Sequence, residues 1–463
     1  MAAALAAQKA AFDRGAPDAR RRIENLRKLL KAIRAHREEF VQAIAADFGG
    51  RARQETLLLE VFPVVDTIHH AIRHLRGWMR PRPAKAGWQF LPGRARVVYQ
   101  PLGTVGIIGA WNYPLLLSVS PMVSAIAAGN HVMLKPSELA PRTAGLLANL
   151  VAGLFPAEYA TVVTGGPELG AAFASLPFDH LLFTGSTRVG KIIMRCASEN
   201  LTPVTLELGG KSPALLHPDF SAKTAAGRIM AGKLYNAGQT CIAPDYVLVQ
   251  AEAREEFIRL AAASAEEMYP KLTANPDYTR IINRRHYQRL RGLVEDAALK
   301  GAEVMEVNPA REAVNEENRV FAPTLLWNVK DDMSAMREEI FGPVLPIVTY
   351  RDLDEAIAYV NARPRPLALY YFDNNTKRVE SVLARTTSGG VTVNDTVLHI
   401  AQNDLPFGGV GPSGMGSYHG FDGFETFSKK KGVFWQSRWT TLGLLRPPYG
   451  ELARRVTDLL IGR

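Results

Sequence analysis

The sequence predicts an α/β protein with two doubly wound units and a small β appendage. Its 463 residues correspond to about three structural units at roughly 150 residues each. Hydrophobic residues make up 47% and charged residues 22% of the chain, proportions typical of a globular protein. Residues 103–210 alternate short apolar strands with longer helical segments, and the alternation begins again beyond Gly210. Strands separated by helices form parallel sheets that are covered on both faces.

The first unit contains five predicted strands with helices between them. The strands are GTVGIIGA, HVMLK, TVVTG, HLLFTGS and TPVTLELGG, and the helices are LLLSVSPMVSAIAA, PRTAGLLANLVAGLF and TRVGKIIMRCASE. In such a sheet, ligands bind at the carboxyl ends of the strands. The loops that follow these strands are therefore the first place to look for a functional site.

The second unit repeats the alternation over about 180 residues. Its predicted elements are a helix at 222–235, a strand at 246–250, a helix at 252–268, the strand LALYYF, a helix at 376–385 and the strand GGVTVN. Two segments fit neither unit: RVVYQ at 96–100 and the glycine-rich tail from Asp404 onward. Their period-2 apolar pattern predicts a β appendage assembled from two places, a common device for pairing subunits.

Only two cysteines, Cys196 and Cys241, occur in the chain, which excludes a disulfide framework and a metal site built from cysteines. Lys9 and Asp13 interrupt the N-terminal alanines where a secretory signal needs an unbroken apolar run. The most apolar stretch, 115–128, is shorter than the roughly 20 residues of a spanning helix. We therefore expect a cytoplasmic protein with no membrane span and no bound metal.

The net charge of +10 invites a nucleic-acid or anionic-membrane interpretation. Much of the positive excess lies between residues 20 and 37, where apolar residues recur at helical spacing among the basic residues Arg20, Arg21, Arg22, Arg27, Lys28, Lys31, Arg34 and Arg37. This spacing predicts an amphipathic helix with a solvated basic face. Because no zinc-finger spacing or aromatic-rich basic strand accompanies it, we do not expect a nucleic acid as partner.

Three residues could carry covalent chemistry. Cys241 follows a helix in YNAGQTCIAP, whereas Cys196 lies inside the helix KIIMRCASE, where packing cysteines are found. Glu207 ends the strand VTLELGG, and Asn112 follows a strand in GAWNYP. A thiol, a carboxylate that activates water and an amide that donates to an oxyanion are the parts of covalent acyl chemistry. Taken singly, Glu207 could instead pair with Lys211, and Asn112 could be a turn residue.

The stretch FTGSTRVGK places Gly185 and Ser186 between a strand and a helix. Backbone amides at the N-terminus of a helix can bind phosphate oxygens. The spacing from Gly185 to Gly190 is G-x-x-x-x-G without the Lys-Ser/Thr of a P-loop, and no G-x-G-x-x-G is present here. By itself this motif is a weak indication of a phosphate site.

Seven motifs in this order resemble the aldehyde dehydrogenase superfamily over about residues 20–435: AWNYP, KPSELAP, FTGSTRVGK, LELGGKSP, GQTC, EEIFGPVLP and LPFGGVGPSGMGSYHG. The separation of 34 positions between Glu207 and Cys241 agrees with that family. PLALYYF and SGGVTVNDTVLHIAQNDLPFGG resemble its class 3 branch. GQTCIAPDYVL, NARPRPLALYYF and PPYG look most like bacterial coniferyl aldehyde dehydrogenases. One departure is Ala110, where the family often has proline.

The resemblance implies a division of the chain and a role for each part. A Rossmann-like NAD-binding domain would comprise 1–83 and 102–208, and a catalytic α/β domain would comprise 209–402. The segments 84–101 and 403–463 would form the oligomerisation appendage and the C-terminal tail. We accordingly expect a homodimer that acts on a small-molecule aldehyde.

The resemblance also implies catalytic and cofactor-binding residues. Cys241 would attack the aldehyde, Asn112 and the Cys241 backbone N–H would hold the oxyanion, and Glu207 would activate water for thioester hydrolysis. The cofactor would be NAD, with some use of NADP. Its expected contacts are Lys135 and Glu138 at the adenosine ribose, Gly185 and Ser186 at the pyrophosphate, and Glu339 and Phe341 at the nicotinamide ribose.

The substrate expected from the same resemblance is coniferaldehyde, oxidised to ferulate. Residues expected to line its pocket, from their proximity to the motifs, are Tyr113, Tyr235, Ile242 and His399. A fatty or general aromatic aldehyde is the alternative substrate. A cysteine esterase or acyl transferase is a distant alternative, because no histidine base is evident near Cys241 and the LKPSE and FTGSTRVGK motifs would stay unexplained.

Overall fold

A computed structural model describes residues 1–440 and 442–462. Its α-helices are α1 (Ala2–Asp13), α2 (Ala19–Ala35), α3 (Arg37–Phe48), α4 (Arg53–Thr56), α5 (Phe62–Trp78), α6 (Leu116–Ala128), α7 (Pro141–Leu154), α8 (Pro167–Ala174), α9 (Thr187–Ser198), α10 (Ala222–Leu234), α11 (Arg254–Met268), α12 (Arg284–Leu299), α13 (Ser334–Arg337), α14 (Leu353–Asn361), α15 (Thr376–Arg385), α16 (Gly420–Thr426) and α17 (Glu451–Ile461). A π-helical turn, Leu57–Val61, joins α4 to α5.

The strands are β1 (Arg82–Ala84), β2 (Arg94–Pro101), β3 (Thr104–Ile108), β4 (His131–Lys135), β5 (Ala160–Val162), β6 (His180–Thr184), β7 (Val204–Glu207), β8 (Pro213–Leu216), β9 (Tyr246–Gln250), β10 (Glu303–Glu306), β11 (Thr324–Trp327), β12 (Val344–Tyr350), β13 (Ala368–Phe372), β14 (Gly390–Val393), β15 (Gly414–Met415) and β16 (Ser428–Trp435). They form three sheets. The predicted α/β fold class is confirmed.

The first sheet has the strand order β15-β7-β6-β3-β4-β5. Strands β3 to β7 are parallel, and β15 pairs antiparallel with the end of β7. Every residue of β3, β4 and β6 is buried, as expected for a parallel sheet covered on both faces. Helix α8 was missed by the sequence analysis, because its eight residues carry too short an apolar repeat.

The second sheet has the order β10-β11-β12-β9-β8-β13-β14. All its pairs are parallel apart from the edge pair of β10 and β11. The chain passes from the first sheet to the second between β7 and β8, so the loop after Glu207 crosses directly between them. Side chains from both units can therefore meet beside this crossing.

The third sheet joins β1, β2 and β16, with β16 antiparallel to β2 along its whole length. It begins at Arg82, two residues before the expected boundary at 84. The tail segment 403–463 is not confined to this sheet, because β15 adds to the first sheet and α16 packs on α5 and α6. Two residues of that segment, Thr441 and Arg463, lie outside the described residues. The division into domains stays a prediction.

The amphipathic N-terminal helix is present as α2, but Arg22 leaves its basic face. Arg22 is 5% exposed and donates through Nη1 to the carbonyl oxygens of Ala127 (3.1 Å) and Ala128 (2.7 Å). It thereby satisfies carbonyls at the end of α6 that have no partner within the helix. The expectation that Arg22 is solvated was wrong for this reason.

Among the described residues, none of the helices combines the length and apolar character needed to cross a bilayer. Within the same residues, His, Cys, Asp and Glu side chains form no group of three or more that could hold a metal ion.

Candidate active site

The loop that carries Cys241 is shaped by three consecutive left-handed residues. After α10, Asn236, Ala237 and Gly238 have φ values of 53°, 50° and 74°. A Cβ atom at Gly238 would overlap the carbonyl oxygen of Gly342, so this position requires glycine. Left-handed backbone at residues other than glycine costs free energy and is common near active sites. The strained turn determines the direction of the backbone that leads to Cys241.

The Cys241 thiol lies among buried groups that disfavour its ionised form. Burial first, and then the nearby carboxyl groups of Glu339 and Glu207, raise the pKa of Cys241 to about 12. Cys196, which is partly exposed like Cys241, lies on α9 and packs against the hydrophobic core of the first unit. A thiol with such a high pKa needs a base that removes its proton during attack.

Glu207 ends β7 with its carboxyl group buried and without a partner. Its residue is 2% exposed, and neither Oε1 nor Oε2 makes a hydrogen bond within the part of the chain that is described. Burial therefore raises its pKa well above the ordinary value of a glutamate. The alternative pairing of Glu207 with Lys211 is not seen, since Lys211 forms its ion pair with Asp245.

Asn112 reaches the Cys241 loop through its side chain. Its Nδ2 donates to the carbonyl oxygen of Gln239 at 3.2 Å, two residues before Cys241. Its own carbonyl oxygen accepts from Arg51 Nη1 (3.0 Å) and from Asn236 Nδ2 (2.9 Å). Asn112 is thus a fixed part of the loop structure rather than an isolated turn residue.

The Glu339 carboxyl group, from the second unit, lies near the Cys241 thiol. Burial first, and then the neighbouring Asp245, raise the pKa of Glu339 to about 8. A Cβ at Gly209, just after β7, would overlap the Glu339 carboxyl group, so a side chain at this position would displace that group. Lys211 holds this segment by donating to the carbonyl oxygens of Ala335 (2.7 Å) and Glu338 (2.9 Å).

Phe341 connects the Glu339 segment to Asn112. Its backbone is left-handed, with φ of 50°, and its ring meets the Trp111 ring edge-on at 5.4 Å. Trp111 precedes Asn112 in the sequence. Residues from both sheets, separated by more than 200 positions, are thereby brought to one cleft.

Lys135 and Glu138 form an ion pair at the carboxyl end of β4. Lys135 is buried, and its Nζ lies 3.2 Å from Glu138 Oε2 while also donating to the carbonyl oxygen of Pro136 at 3.3 Å. The Glu138 side chain remains 36% exposed. This pair presents one cation and one accessible carboxylate to a ligand at this strand end.

Gly185 and Ser186 connect β6 to α9. The Gly185 amide donates to the Glu207 carbonyl oxygen at 2.9 Å, and Ser186 caps α9 by accepting from the Val189 amide at 3.4 Å. Helix α9 has twelve residues, and its positive N-terminal end is exposed at Ser186. The arrangement suits an anionic group at the strand end.

A cleft of about 520 Å³ lies between the two units. Thr187 at the start of α9, Gly209, Glu339 and Pro412 are among its lining residues. Glu339 Oε1 is buried without a partner among the described residues, as a group awaiting hydroxyl donors would be. The helix N-terminus, the strand-end ion pair and this carboxyl group fit a dinucleotide with its phosphates at Ser186 and its riboses at Glu138 and Glu339.

The four residues expected to line the substrate pocket differ in exposure. Tyr113 is buried and its hydroxyl hydrogen-bonds to Thr240 Oγ1 at 2.7 Å, next to Cys241. Tyr235, which ends α10, is half-buried. Ile242 is buried beside Cys241. His399 is buried too, with Nδ1 2.9 Å from Thr392 Oγ1, and burial lowers its pKa to about 4.

Two tyrosines near Cys241 were missed by the sequence analysis. Tyr370 donates through its hydroxyl to the carbonyl oxygen of Ile242. Tyr418 has a buried hydroxyl without a partner among the described residues, and burial raises its pKa, with further increases from Glu207 and Cys241. The motif GSYHG contains Tyr418, but the residue lies 177 positions after Cys241, and sequence spacing does not show their proximity.

Known proteins resemble this chain along almost its whole length. The sequence profile of the aldehyde dehydrogenase family matches residues 1–433. A probable coniferyl aldehyde dehydrogenase of Pseudomonas aeruginosa is 50% identical over 462 residues, which cover 100% of this chain and 96% of that protein.

Solved structures extend the similarity to the fold. The substrate-bound state of Staphylococcus aureus AldH is 38% identical and superimposes with a TM-score of 0.93, covering 99% of this chain and 98% of that one. A Mycobacterium tuberculosis aldehyde dehydrogenase complexed with NAD⁺ is 28% identical with a TM-score of 0.84, over 94% and 90% of the two chains.

These matches confirm the resemblance identified from the seven motifs and the expectation that the cofactor is NAD, with NADP also possible. The chain belongs to the aldehyde dehydrogenase family, and its reaction is the NAD(P)-dependent oxidation of an aldehyde to a carboxylic acid.

Proposed function

We propose that Cys241, Asn112 and Glu207 carry out this oxidation and that the physiological substrate is an aryl-propenal such as coniferaldehyde, converted to ferulate. The observation that carries the catalytic assignment is the Cys241 thiol, whose pKa is raised by its surroundings and by the neighbouring carboxyl groups of Glu339 and Glu207. Cys241 attacks the aldehyde, Asn112 stabilises the oxyanion, and Glu207 activates water for hydrolysis of the thioester.

The first step is attack of Cys241 Sγ on the aldehyde carbon. The thiol proton must go to a base, and Glu339 and Glu207 are the carboxyl groups that act on the Cys241 pKa. Because burial raises the pKa of both carboxyl groups, each is a stronger base when ionised than an exposed glutamate. The product is a thiohemiacetal alkoxide bonded to Sγ.

Asn112 Nδ2 and the Cys241 backbone N–H serve as donors to that alkoxide. Fixed donors in a dry site stabilise developing charge without reorganising, which makes this contribution large. When bound, the oxidised nicotinamide supplies the acceptor for the hydride that the former aldehyde carbon loses. The alkoxide then becomes the carbonyl of a thioester on Cys241.

Glu207 completes the cycle by activating water. Its unpartnered carboxylate oxygens accept a proton from the water that attacks the thioester carbonyl, and the thiolate of Cys241 leaves. Overall, one aldehyde, one water and one oxidised cofactor give one carboxylate, one reduced cofactor and two protons. The pKa of Glu207, raised by burial, makes its ionised form a competent base for this step.

We propose that NAD is preferred over NADP. Lys135 could donate to a ribose hydroxyl or to a 2′-phosphate, but Glu138 stands 3.2 Å from its Nζ. A carboxylate beside the 2′ position repels a phosphate and accepts a hydrogen bond from a hydroxyl. The lysine permits some NADP use, whereas the glutamate sets the preference.

The proposed substrate rests on the relatives and on the aromatic surroundings of the thiol. The Pseudomonas aeruginosa relative is named for coniferyl aldehyde and matches the full chain. Tyr113, Tyr370 and Tyr418 surround the Cys241 segment. Conjugation makes an aryl-propenal a weaker electrophile than an alkanal, so its oxidation depends on holding the ring and carbonyl in place. Tyr418, whose hydroxyl has no partner among the described residues, is the aromatic contact with the substrate ring that we favour.

The decisive substrate measurement is kcat/KM for coniferaldehyde, benzaldehyde, hexanal and a long-chain alkanal with NAD. We expect coniferaldehyde to be highest. A value well below that for hexanal or longer alkanals would identify the enzyme as a fatty-aldehyde dehydrogenase with the same mechanism.

Loss of the nucleophile tests the mechanism. Cys241→Ala should abolish aldehyde oxidation while NAD binding, measured by fluorescence, is retained. Cys196→Ala is the matched control and should keep turnover near the wild-type value. Turnover close to wild type in Cys241→Ala would refute the assignment.

The homodimer, the three-part division of the chain and a cytoplasmic location belong to the same proposal. The three-stranded sheet of β1, β2 and β16 is the surface that we expect to pair subunits. A reducing compartment is expected because Cys241 must remain a free thiol to act. Light scattering of the purified protein, with and without residues 428–462, would test the dimer.

A further inference from the structure

A buried ion pair from the N-terminal helical region contacts the loop that carries Asn112. Arg51 precedes α4, and Glu60 lies in the π-helical turn Leu57–Val61. Both side chains are fully buried, and Arg51 Nη1 lies 2.7 Å from Glu60 Oε1. Neither residue takes part in the steps proposed above. Buried charges are rare unless they are paired or have a function, so this pair requires an explanation.

The pair holds both ends of the turn between β3 and α6. Arg51 Nη1 donates to the Asn112 carbonyl oxygen at 3.0 Å. Glu60 Oε2 accepts the backbone amides of Leu115 (2.8 Å) and Leu116 (3.2 Å), where α6 begins. The arginine thus fixes the peptide of Asn112, while the glutamate fixes the helix that follows it.

The local backbone of Glu60 is itself unusual. A π-helical turn inserts one residue into an α-helix, changes the direction of the side chains and is found most often at functional sites. Here it occurs where Glu60 must reach the N-terminal amides of α6. The Arg51 guanidinium also packs 4.7 Å from the centre of the Tyr113 ring, which restricts the guanidinium further.

The Cys241 loop contacts the same peptide from the other side. Asn236 Nδ2 donates to the carbonyl oxygens of Asn112 (2.9 Å) and Gln239 (3.1 Å). The Asn112 side chain also donates to Gln239, so the oxyanion donor and the nucleophile loop share one network. Arg51 and Glu60 anchor this network to the helical region that precedes the first sheet.

We propose that Arg51 and Glu60 are positioning residues that fix the Asn112 amide beside Cys241 for oxyanion stabilisation. The inference rests on the proposed role of Asn112. An apolar pair of similar volume can be as stable as a buried ion pair, so stability alone does not account for the charges. Directional hydrogen bonds to the Asn112 and Leu115 peptides, however, need a charged donor, here Arg51 Nη1, and a carboxylate acceptor.

The first test compares Arg51→Met and Arg51→Lys with wild type. Arg51→Met should lower kcat by roughly 10- to 100-fold, since a misplacement of about 1 Å in catalytic geometry has effects of this size. The Kd for NAD should stay within about twofold, because the strand-end contacts expected for the cofactor are untouched. Arg51→Lys keeps a cation and one donor and should recover part of the loss. Arg53→Gln, an exposed neighbour paired with Glu38, is the control and should behave as wild type.

A double-mutant cycle distinguishes positioning from a general structural role. If Arg51 acts through Asn112, Arg51→Met should reduce kcat by less than about twofold in the Asn112→Ala background. Equal losses in both backgrounds would overturn the inference while leaving the role of Asn112 intact. Asn112→Ala with normal turnover would instead overturn the proposed oxyanion role and, with it, the basis of this inference. Should Arg51→Met fail to fold, the isosteric Glu60→Gln takes its place in the same cycle with the same criteria.

Discussion

Two buried glutamates, Glu60 and Glu207, belong to the proposed active-site region, and their surroundings are opposite. Glu60 has an arginine at 2.7 Å and two backbone amides as donors. Glu207 is equally buried, yet both of its carboxyl oxygens lack a partner among the described residues. A satisfied buried carboxylate fixes its neighbours in place, whereas an unsatisfied one is left free to bind water and exchange a proton. The difference separates a group that positions the site from one that reacts in it.

The sharpest test of this comparison is the kinetic behaviour of Glu207→Gln. Because the substitution removes the base for thioester hydrolysis, steady-state turnover should fall by about 10² to 10⁴-fold. A burst of NADH approaching one per active site should remain, since attack and hydride loss come before hydrolysis. Stopped-flow absorbance of NADH measures both quantities.

Glu60→Gln is the matched comparison, because it changes the same functional group in the satisfied carboxylate. It should slow the burst itself and show no stalled thioester. A missing burst in Glu207→Gln would assign Glu207 to thiol activation or to structure, and unchanged turnover would remove it from the mechanism.

The two glutamates should also differ in their effect on stability. Replacing Glu60 with alanine leaves Arg51 buried and two amides without an acceptor, which should cost roughly 3–5 kcal/mol of unfolding free energy. Burial raises the pKa of Glu207, so the folded protein keeps its proton while the unfolded chain loses it near pH 4.3. Stability therefore falls as pH rises above that value, and Glu207→Gln should remove this loss at pH 7.

Thermal unfolding of both variants at pH 5 and pH 7 checks the stability prediction. The advantage of Glu207→Gln over wild type should be larger at pH 7 than at pH 5. A melting temperature lowered equally by Glu207→Gln and by Glu60→Ala would mean that Glu207 has partners in the folded protein that resemble those of Glu60.

The residues that sequence could predict are those with a local signature. Cys241, Glu207 and Asn112 each interrupt an apolar strand or follow a helix, so their exceptional position is visible within ten residues. The parallel sheets were also predictable, because strand and helix alternate with regular lengths. Lys211 shows the limit of such reasoning: it lies four residues from Glu207 but pairs with Asp245.

Arg51 and Glu60 could not be found in the same way. In the segment RARQETLLLE they read as ordinary charges on an amphipathic helix, and their contacts lie more than 50 positions away. Tyr418 is separated from Cys241 by an even longer stretch of chain. The contacts of such residues depend on how the two sheets and the N-terminal helices pack together. Hydrophobic periodicity in the sequence does not predict this packing.

The reactivity of the Cys241 thiol compares the electrostatic effects of its two carboxyl neighbours, Glu339 and Glu207. Burial raises the pKa of Cys241 to about 12, so its alkylation by iodoacetamide should increase about tenfold per pH unit between pH 8 and pH 10. Glu339, with a pKa of about 8, ionises within this range and opposes the thiolate. Glu339→Gln should therefore accelerate alkylation several-fold at pH 9.

Glu207→Gln should change alkylation less than Glu339→Gln does at pH 9, because Glu339 raises the pKa of Cys241 more than Glu207 does. The measurement uses the Cys196→Ala background, so that Cys241 is the thiol that reacts. An alkylation rate that stops increasing below pH 9 would show that the pKa of Cys241 is lower than its burial implies.

The smallest expected effect lies at the carboxyl end of β4, where Glu138 is partly exposed beside the buried Lys135. Solvent weakens the electrostatic influence of Glu138, whose side chain is 36% accessible, compared with that of the buried glutamates. Glu138→Gln should raise kcat/KM for NADP several-fold, because the repulsion of a 2′-phosphate disappears while Lys135 stays. The value for NAD should fall slightly, since an amide is a weaker acceptor for ribose hydroxyls than a carboxylate. Kinetics with both cofactors at low and high salt would measure the charge contribution directly, because screening should reduce the NADP gain. An unchanged cofactor ratio would mean that Glu138 points away from the ribose and serves only to neutralise Lys135.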